Sequence, residues 1–170
     1  LYTLILFSSN NQIRFNSSGK FNLPVGKRDF NAKMQEKLSD FIDRLKSVRC
    51  SITCEDFHGF DTSLLTGDDF VYMDQPYLIT CATYNEKNGW NEAAERDLLR
   101  FIDGLHERGI RFALSNVLRS KGKENRILID WASANADKYE VKRLHYDYAN
   151  ANYHTKDRNK NSEEVLIVNY

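Results

Sequence analysis

The sequence lacks any apolar run near the roughly 20 residues that a membrane-spanning helix needs, and it lacks an excess of either charge. Lys and Arg number 24, and Asp and Glu also number 24. Global charge therefore does not predict a nucleic-acid partner, which would have to be recognised through local sequence. These absences predict a globular protein without a membrane partner.

Cysteine is scarce as well. Cys50, Cys54 and Cys81 do not pair evenly, and Cys50 and Cys54 lack the second pair of ligands that a zinc site of this spacing needs. We interpret all three as reduced intracellular thiols and predict no metal. The chain begins with Leu1, and LYTLILF lacks the basic flank and cleavage site of a signal peptide, so we expect a fragment of a longer protein.

The order of strand and helix patterns predicts an α/β fold. Short apolar runs alternate with amphipathic helical patterns, which is typical of a mostly parallel sheet with helical crossovers. Residues 147–162 are polar and lack helical periodicity, so the last strand is expected to return antiparallel beside its predecessor. The predicted strands are 48–53, 70–73, 111–115, 140–145 and 165–169, and the predicted helices are 92–108 and 124–136.

Residues 1–47 are predicted to form a separate region with a hairpin and a helix, and residues 48–170 are predicted to form the α/β domain. Two alternating runs around the turn Ser17-Ser18-Gly19 predict a β-hairpin, and Asn31 is expected to cap a helix that ends near Lys46. Interleaved basic and aromatic residues favour contact with DNA phosphates, although a solvated edge is the simpler alternative. The basic candidates are Arg14, Lys20, Lys27 and Arg28.

The stretch DDFVYMDQPYLIT carries the candidate active-site residues. Residues 70–73 have the profile of a core strand, and Pro76 cannot continue a strand ladder. In open α/β sheets, ligands bind just outside the carboxyl ends of such strands. Asp74, Gln75, Pro76 and Tyr77 are therefore predicted to lie at a binding rim, the alternative being a proline-ended strand with a surface Asp.

Several ordered segments resemble the Dam-type DNA adenine methyltransferases, whose motif after the fourth strand reads Asp-Pro-Pro-Tyr. The matching segments are GKFNLPVGKRDF, FVYMDQPYLITCATYN, RFALSN, NANYHTKDR and EEVLIVNY. This resemblance implies a Rossmann-like methyltransferase sheet with an antiparallel last strand and a small hairpin and helix recognition region. It also implies S-adenosylmethionine as cofactor and double-stranded DNA as substrate, with GATC as a suggested site.

The resemblance also implies roles for individual residues. Asp74 and the backbone carbonyl of Gln75 would accept the amino hydrogens of a flipped adenine, Pro76 would stiffen the turn, and Tyr77 would stack on the base. Asp74 would also touch the cofactor, whose adenine would lie beside Glu55, Asp56 and Phe57. The late loop would add DNA contacts through Asn152, His154 and Lys156.

Two departures from the family pattern leave alternatives open. Gln75 replaces the first proline, which is expected to loosen the turn, so Gln75→Pro is expected to raise the methylation rate. The glycine-rich cofactor loop that precedes the recognition region in this group is absent. The chain is thus interpreted as part of an adenine methyltransferase or as a catalytically impaired DNA-binding remnant. A small-molecule or protein methyltransferase fits the sheet but not the hairpin.

Overall fold

The structure, a computed structural model, describes residues 2–80, 90–144 and 162–170. The predictions for Cys81, Asn152, His154 and Lys156 lie outside these residues. The chain divides into two compact units, Leu1–Phe60 and Asp61–Tyr170. In the ranges described, no helix has both the length and the apolar character needed to cross a membrane.

The first unit contains two helices and a hairpin. Helix α1 spans Tyr2–Phe7 and is followed by a 3-10 turn at Ser9–Asn11. Helix α2 spans Ala32–Ser47, and the side chain of Asn31 accepts a hydrogen bond from the Met34 amide at 3.1 Å. The predicted cap and helix are confirmed, since an Asn side chain satisfies one of the free amides of the first turn. A second 3-10 turn follows at Phe57–Gly59.

In its described residues, the second unit is a five-stranded sheet with two helices. Its helices are α3, Glu92–Glu107, and α4, Arg126–Ala134. Its strands are β1, Phe70–Met73; β2, Arg111–Ser120; β3, Lys123–Glu124; β4, Glu140–Leu144; and β5, Glu163–Val168. The main strands lie in the order β1-β2-β5-β4, and β3 pairs with the end of β2.

The strand directions confirm a mixed α/β sheet with an antiparallel last strand. β1 pairs parallel to β2, and β5 pairs antiparallel to both β2 and β4. The expectation of a mostly parallel sheet is wrong for the pairing of neighbouring strands, which is mostly antiparallel among the described residues. Although β1, β2 and β4 share one direction, β5 lies between β2 and β4, so β1 and β2 are the one parallel pair among the described strands.

Two other expectations about strands are corrected. Residues 48–53 form no strand, and Ile52 is 83% exposed; alternation alone does not make a strand when no described strand pairs with it. β1 is not a core strand in the described structure, because Phe70 is 50% and Tyr72 58% exposed. Among the described strands β1 has only β2 as a neighbour, which leaves it at the edge of the sheet.

The core of the second unit lies where α3 and α4 pack against β2. It is built from large apolar side chains that burial removes from water. Its members include Leu98, Leu99, Ile102, Leu105, Ile110, Phe112, Leu114, Val117, Leu128, Val165, Ile167 and Val168.

A fully buried carboxylate joins three parts of this core. Glu95 in the first turn of α3 is 0% exposed, and its Oε1 accepts hydrogen bonds from Asn116 Nδ2 at 3.0 Å and Asn125 Nδ2 at 2.7 Å. Its Oε2 accepts from the indole N–H of Trp90. The Asn125 side chain also caps α4 by accepting from the Leu128 amide. Glu95 therefore links β2, the start of α4 and the residue preceding α3's cap.

Candidate active site and nucleic-acid interface

The residues Asp74 to Tyr77 leave the sheet directly after β1. β1 ends at Met73, which lies opposite Leu114 in β2, so the predicted end of the strand is confirmed. The Asp74 side chain is exposed, and Tyr77 is partly buried. Because β2 continues beyond the end of β1, Ser115 is the next β2 residue beside this turn.

A chain of hydrogen bonds fixes the Tyr77 hydroxyl. It donates to Asp74 Oδ1 at 3.1 Å, and it lies 3.0 Å from Ser115 Oγ. A phenol has one hydrogen to donate, so when it donates to the carboxylate it accepts from the serine. Burial raises the pKa of Tyr77, the bond with Ser115 opposes this, and Asp74 adds to it. Tyr77 therefore remains a neutral donor at physiological pH, oriented toward Asp74.

The Gln75 side chain is also tied to β2. Its Nε2 donates to the Ser115 backbone carbonyl at 3.2 Å. The reversed amide would bring two acceptors together, so this contact sets the amide orientation. Gln75 Oε1 is buried and has no hydrogen-bond partner in the part of the chain that the structure describes. The expected loosening of the turn is thus countered by a contact that proline could not make.

The acidic turn at Glu55, Asp56 and Phe57 belongs to the first unit. Asp56 Oδ1 accepts from the His58 amide at 3.0 Å and contacts His58 Nδ1 closely, which caps the 3-10 turn. The hydrogen bond from the His58 amide is the main cause that lowers the pKa of Asp56. The Phe57 ring lies 4.0 Å from the His58 ring, with 31° between the planes. These contacts give Asp56 a structural role, and the cofactor role of the turn stays a prediction.

S-adenosylmethionine, the cofactor that the sequence resemblance implies, carries polar groups that a carboxylate can bind. Asp74 and Glu55 are exposed, and ionised carboxylates accept hydrogen bonds from hydroxyl and ammonium groups, which this cofactor carries. The Asp56 carboxylate already accepts a hydrogen bond from the His58 amide. Asp74, in the second unit, and Glu55, in the first unit, therefore each present exposed acceptor oxygens of the kind that such groups require.

The N-terminal region contains the predicted hairpin in a short form. Phe15 and Phe21 form an antiparallel bridge, and their rings meet edge to face with centroids 6.1 Å apart. Gly19 has φ of 70°, a left-handed conformation that glycine adopts without a steric cost. Asn16 Oδ1 accepts from the amides of Ser18 and Lys20. The hairpin is confirmed, with a single bridge in place of extended strands.

The four basic candidates are exposed but differ in their contacts. Arg14 Nη2 donates to the backbone carbonyl and the side-chain oxygen of Asn22, both at 2.9 Å. Lys20, Lys27 and Arg28 form no ion pair within residues 2–80, 90–144 and 162–170. No carboxylate among the described residues forms an ion pair with these three cations, whereas the Arg14 guanidinium donates hydrogen bonds within the hairpin itself.

A close backbone approach fixes the chain before the last two of these cations. Ser8 and Val25 form an antiparallel bridge, and the Gly26 amide donates to the Phe7 carbonyl at 2.7 Å. A Cβ added at Gly26 would lie 2.5 Å from the Ser8 backbone oxygen, so only glycine fits here without a backbone shift. Lys27 and Arg28 follow directly from this anchored point.

Sequence reasoning missed Ser115 as a residue of this site. The sequence predicts that RFALSN is a later strand with Ser115 at its end, and it assigns that serine no role. A signal was present, because Ser115 is a hydroxyl residue at the end of an apolar run that is predicted to be a strand. Sequence alone does not give the strand register, which places this hydroxyl beside Tyr77.

Comparison with known proteins gives a consistent set of matches. The family model of D12 class N6 adenine-specific DNA methyltransferases matches residues 1–161. The chain is 44% identical over 176 aligned residues to the modification methylase StsI of Streptococcus sanguinis, and 40% identical over 176 to the type II methyltransferase M.FokI of Planomicrobium okeanokoites. The modification methylase LlaI of Lactococcus lactis subsp. lactis is 36% identical over 138 residues.

The coverage of these matches is uneven. The first two alignments cover 100% of this chain but 26% of each relative, and the third covers 77% of this chain and 21% of the relative. The chain thus spans about a quarter of the length of the relatives that it matches throughout.

Proposed function

Because the chain belongs to the D12 class N6 adenine-specific DNA methyltransferase family, we propose that it is the part of such an enzyme that carries the catalytic motif. The proposed reaction transfers a methyl group from S-adenosylmethionine to the exocyclic amine of a flipped adenine in double-stranded DNA, with GATC as a candidate site. The observation that carries this proposal is the Asp74 to Tyr77 turn, which leaves a strand end with an exposed carboxylate and a tethered tyrosine.

The exocyclic amine of adenine is a poor nucleophile because its lone pair is delocalised into the ring, so positioning supplies much of the rate. Asp74 accepts one amino hydrogen and the Gln75 backbone carbonyl accepts the other. Tyr77 provides the face on which the flipped base stacks. The Tyr77 hydroxyl leaves Asp74 Oδ2 available to the amine, because it occupies Oδ1.

S-adenosylmethionine supplies the electrophilic methyl group when it is bound. Asp74 and Glu55 are proposed to hold its polar groups, and Phe57 to pack beside its adenine. A Rossmann-like sheet is proposed for the intact domain, supported by three main strands of shared direction that have helices between them. We place the protein in the cytoplasm of a bacterium or of a phage-infected cell, as a monomer.

We propose that the hairpin region binds DNA phosphates through Arg14, Lys20, Lys27 and Arg28. The late loop is proposed to add DNA contacts through Asn152, His154 and Lys156. The exposure of the first group supports its part of the proposal. Such contacts position the duplex and make affinity depend on salt, but they do not read bases.

A catalytically impaired DNA-binding remnant is the second candidate function. The departure of Gln75 from the family motif favours it. It predicts duplex binding that depends on salt, without methyl transfer.

The deciding experiment measures methyl transfer to a short duplex that contains GATC, with the chain alone and within its longer natural polypeptide. Methylated adenine from the longer polypeptide supports the enzyme proposal, and duplex binding without transfer supports the remnant. If neither binds a duplex at low salt, both proposals fail and a small-molecule or protein substrate is favoured. Duplexes without GATC, including one with adenine outside this sequence, test the suggested site.

A further inference from the structure

We infer that Ser115 is a positioning residue of this site: its hydroxyl holds Tyr77, and its backbone carbonyl holds the Gln75 side chain in place of the rigidity that a proline would give. This inference rests on the proposed function, since it assigns the reason why the turn must be rigid. Nothing in the motif itself names Ser115, which lies about 40 residues along the chain in another strand.

The hydroxyl contact has a consequence for the catalytic carboxylate. A substrate amine would donate to Asp74 Oδ2, on a carboxylate whose Oδ1 already accepts from Tyr77, so binding the amine draws on a group that also holds the tyrosine. The bond between Ser115 Oγ and the Tyr77 hydroxyl persists if Asp74 turns toward the amine, because it involves neither Asp74 oxygen. Ser115 thus keeps the stacking ring in place while Asp74 binds substrate.

The carbonyl contact acts on the other half of the turn. Proline stiffens a turn by fixing its own φ. Gln75 lacks that constraint, but its Nε2 donates to the carbonyl of Ser115, a residue held within β2 by pairing with Leu166 of β5. The Gln75 side chain therefore ties the turn to β2 inside the sheet, and this hydrogen bond compensates for the rigidity that a proline would give.

Both contacts converge on one residue of a strand that is paired on both sides. Ser115 lies at the point where β2 passes the end of β1, with β5 on its other side. Small displacements of a reacting group cost large factors in rate, so a site built on strand ends gains from a fixed neighbour of this kind.

The experiment is a double-mutant cycle on kcat in the longer natural polypeptide, with Ser115→Ala, Tyr77→Phe and the double variant. Loss of one neutral hydrogen bond predicts that Ser115→Ala lowers kcat about 5-fold with KM for DNA little changed. In the Tyr77→Phe background, the same substitution should change kcat less than about 2-fold, because the hydroxyl partner is already gone. Ser115→Thr should recover most of the loss, and Ser120→Ala, on the same strand, is the matched control.

The carbonyl contact is tested by Gln75→Met, which keeps the length but removes the donor, and by Gln75→Pro. Gln75→Met should lower kcat about 5-fold. Gln75→Pro should not exceed the wild-type rate, because a proline gains rigidity but loses the tether. A higher rate with proline would overturn this half of the inference and restore the expectation from the sequence.

An equally large effect of Ser115→Ala in both backgrounds would overturn the hydroxyl half, since it would indicate a packing defect. The same cycle measured by urea unfolding of the chain separates this inference from the proposed function. A coupling of about 5-fold in the unfolding constant between Ser115→Ala and Tyr77→Phe supports the contact even if no methylation is found. Absence of that coupling refutes the contact whatever the chain methylates.

Discussion

The fully buried Glu95 allows a sharp test of how the second unit is held together. Glu95→Gln replaces a carboxylate by an amide of nearly equal size, so packing is conserved while one acceptor becomes a donor. The two Asn donors share Oε1, and the Trp90 indole uses Oε2. The new NH2 group must therefore oppose either the two Asn donors or the single Trp90 donor.

The magnitude follows from the cheaper orientation. With its carbonyl toward Asn116 and Asn125, the substituted glutamine would present its own N–H groups to the Trp90 indole. That leaves a part-buried donor without its acceptor, which costs about 1–3 kcal/mol in free energy of unfolding. The remaining two bonds also weaken, because hydrogen bonds to a charged acceptor are stronger than those to a neutral one. We expect a loss of about 2 kcal/mol.

Equilibrium unfolding in urea, followed by tryptophan fluorescence, measures this loss as a lower midpoint at unchanged slope. Glu92→Gln is the matched control: it removes a carboxylate from the same helix turn, but one that is exposed and 4.0 Å from its Arg96 partner. Its loss should cost no more than the roughly 0.3–1 kcal/mol that a negative charge contributes at a helix N-terminus. In a Trp90→Phe background, Glu95→Gln should cost clearly less, because the opposing donor is absent. Equal cost in both backgrounds would refute the donor conflict, and no cost in either would refute the role of the network.

Four further outcomes are expected. Asp74→Ala should abolish methyl transfer while duplex affinity in a gel-shift assay stays nearly unchanged, and residual single-turnover methylation would remove Asp74 from the catalytic role. Lys20→Ala should weaken binding to any duplex and reduce the slope of log affinity against log salt by about one, whereas a sequence-dependent loss would contradict a phosphate contact. The chain alone should bind S-adenosylmethionine far more weakly than a full-length relative, and micromolar affinity by calorimetry for the chain alone would argue against this. Hydrogen bonds from Arg143 and Arg119 lower the pKa of Glu163 in the folded chain. Its ionised form therefore contributes stability above the unfolded pKa near 4.5, and this stability is lost as the pH falls through the lowered folded pKa. Glu163→Gln should flatten the dependence of stability on pH in that acid range, and an unchanged curve would contradict the ion pairs.

Much of the second unit was predictable because its patterns are local. The apolar run at Phe70–Met73 matches the observed bounds of β1, and α3 ends one residue before its predicted end. α4 begins at Arg126 and not at residue 124, since Asn125 serves as its cap and the two preceding residues pair as β3. Hydrophobic periodicity indicates which face of a helix is apolar. It does not reveal that Asn125 both caps α4 and donates a hydrogen bond to Glu95.

Contacts across the sheet were not predictable in the same way. The antiparallel pairing of β5 with β4 followed from the polar connection between them, but its insertion beside β2 did not. The failed strand at residues 48–53 shows the same limit, because strand formation depends on a partner elsewhere in the chain. In the site, the motif residues could be named from sequence, whereas Ser115 needed the register of β1 against β2.

The position of β5 has a consequence for the order in which the sheet assembles during synthesis. β2 and β4 are made first, yet they do not pair with each other; both pair with β5, the last described strand to leave the ribosome. Loop-closure entropy must therefore be overcome over the separation between β2 and β5 before the central ladder forms. Until residues 163–168 are available, β2 and β4 expose unpaired edges, so the nascent chain is most open to chaperones and misassociation shortly before it acquires its central strand.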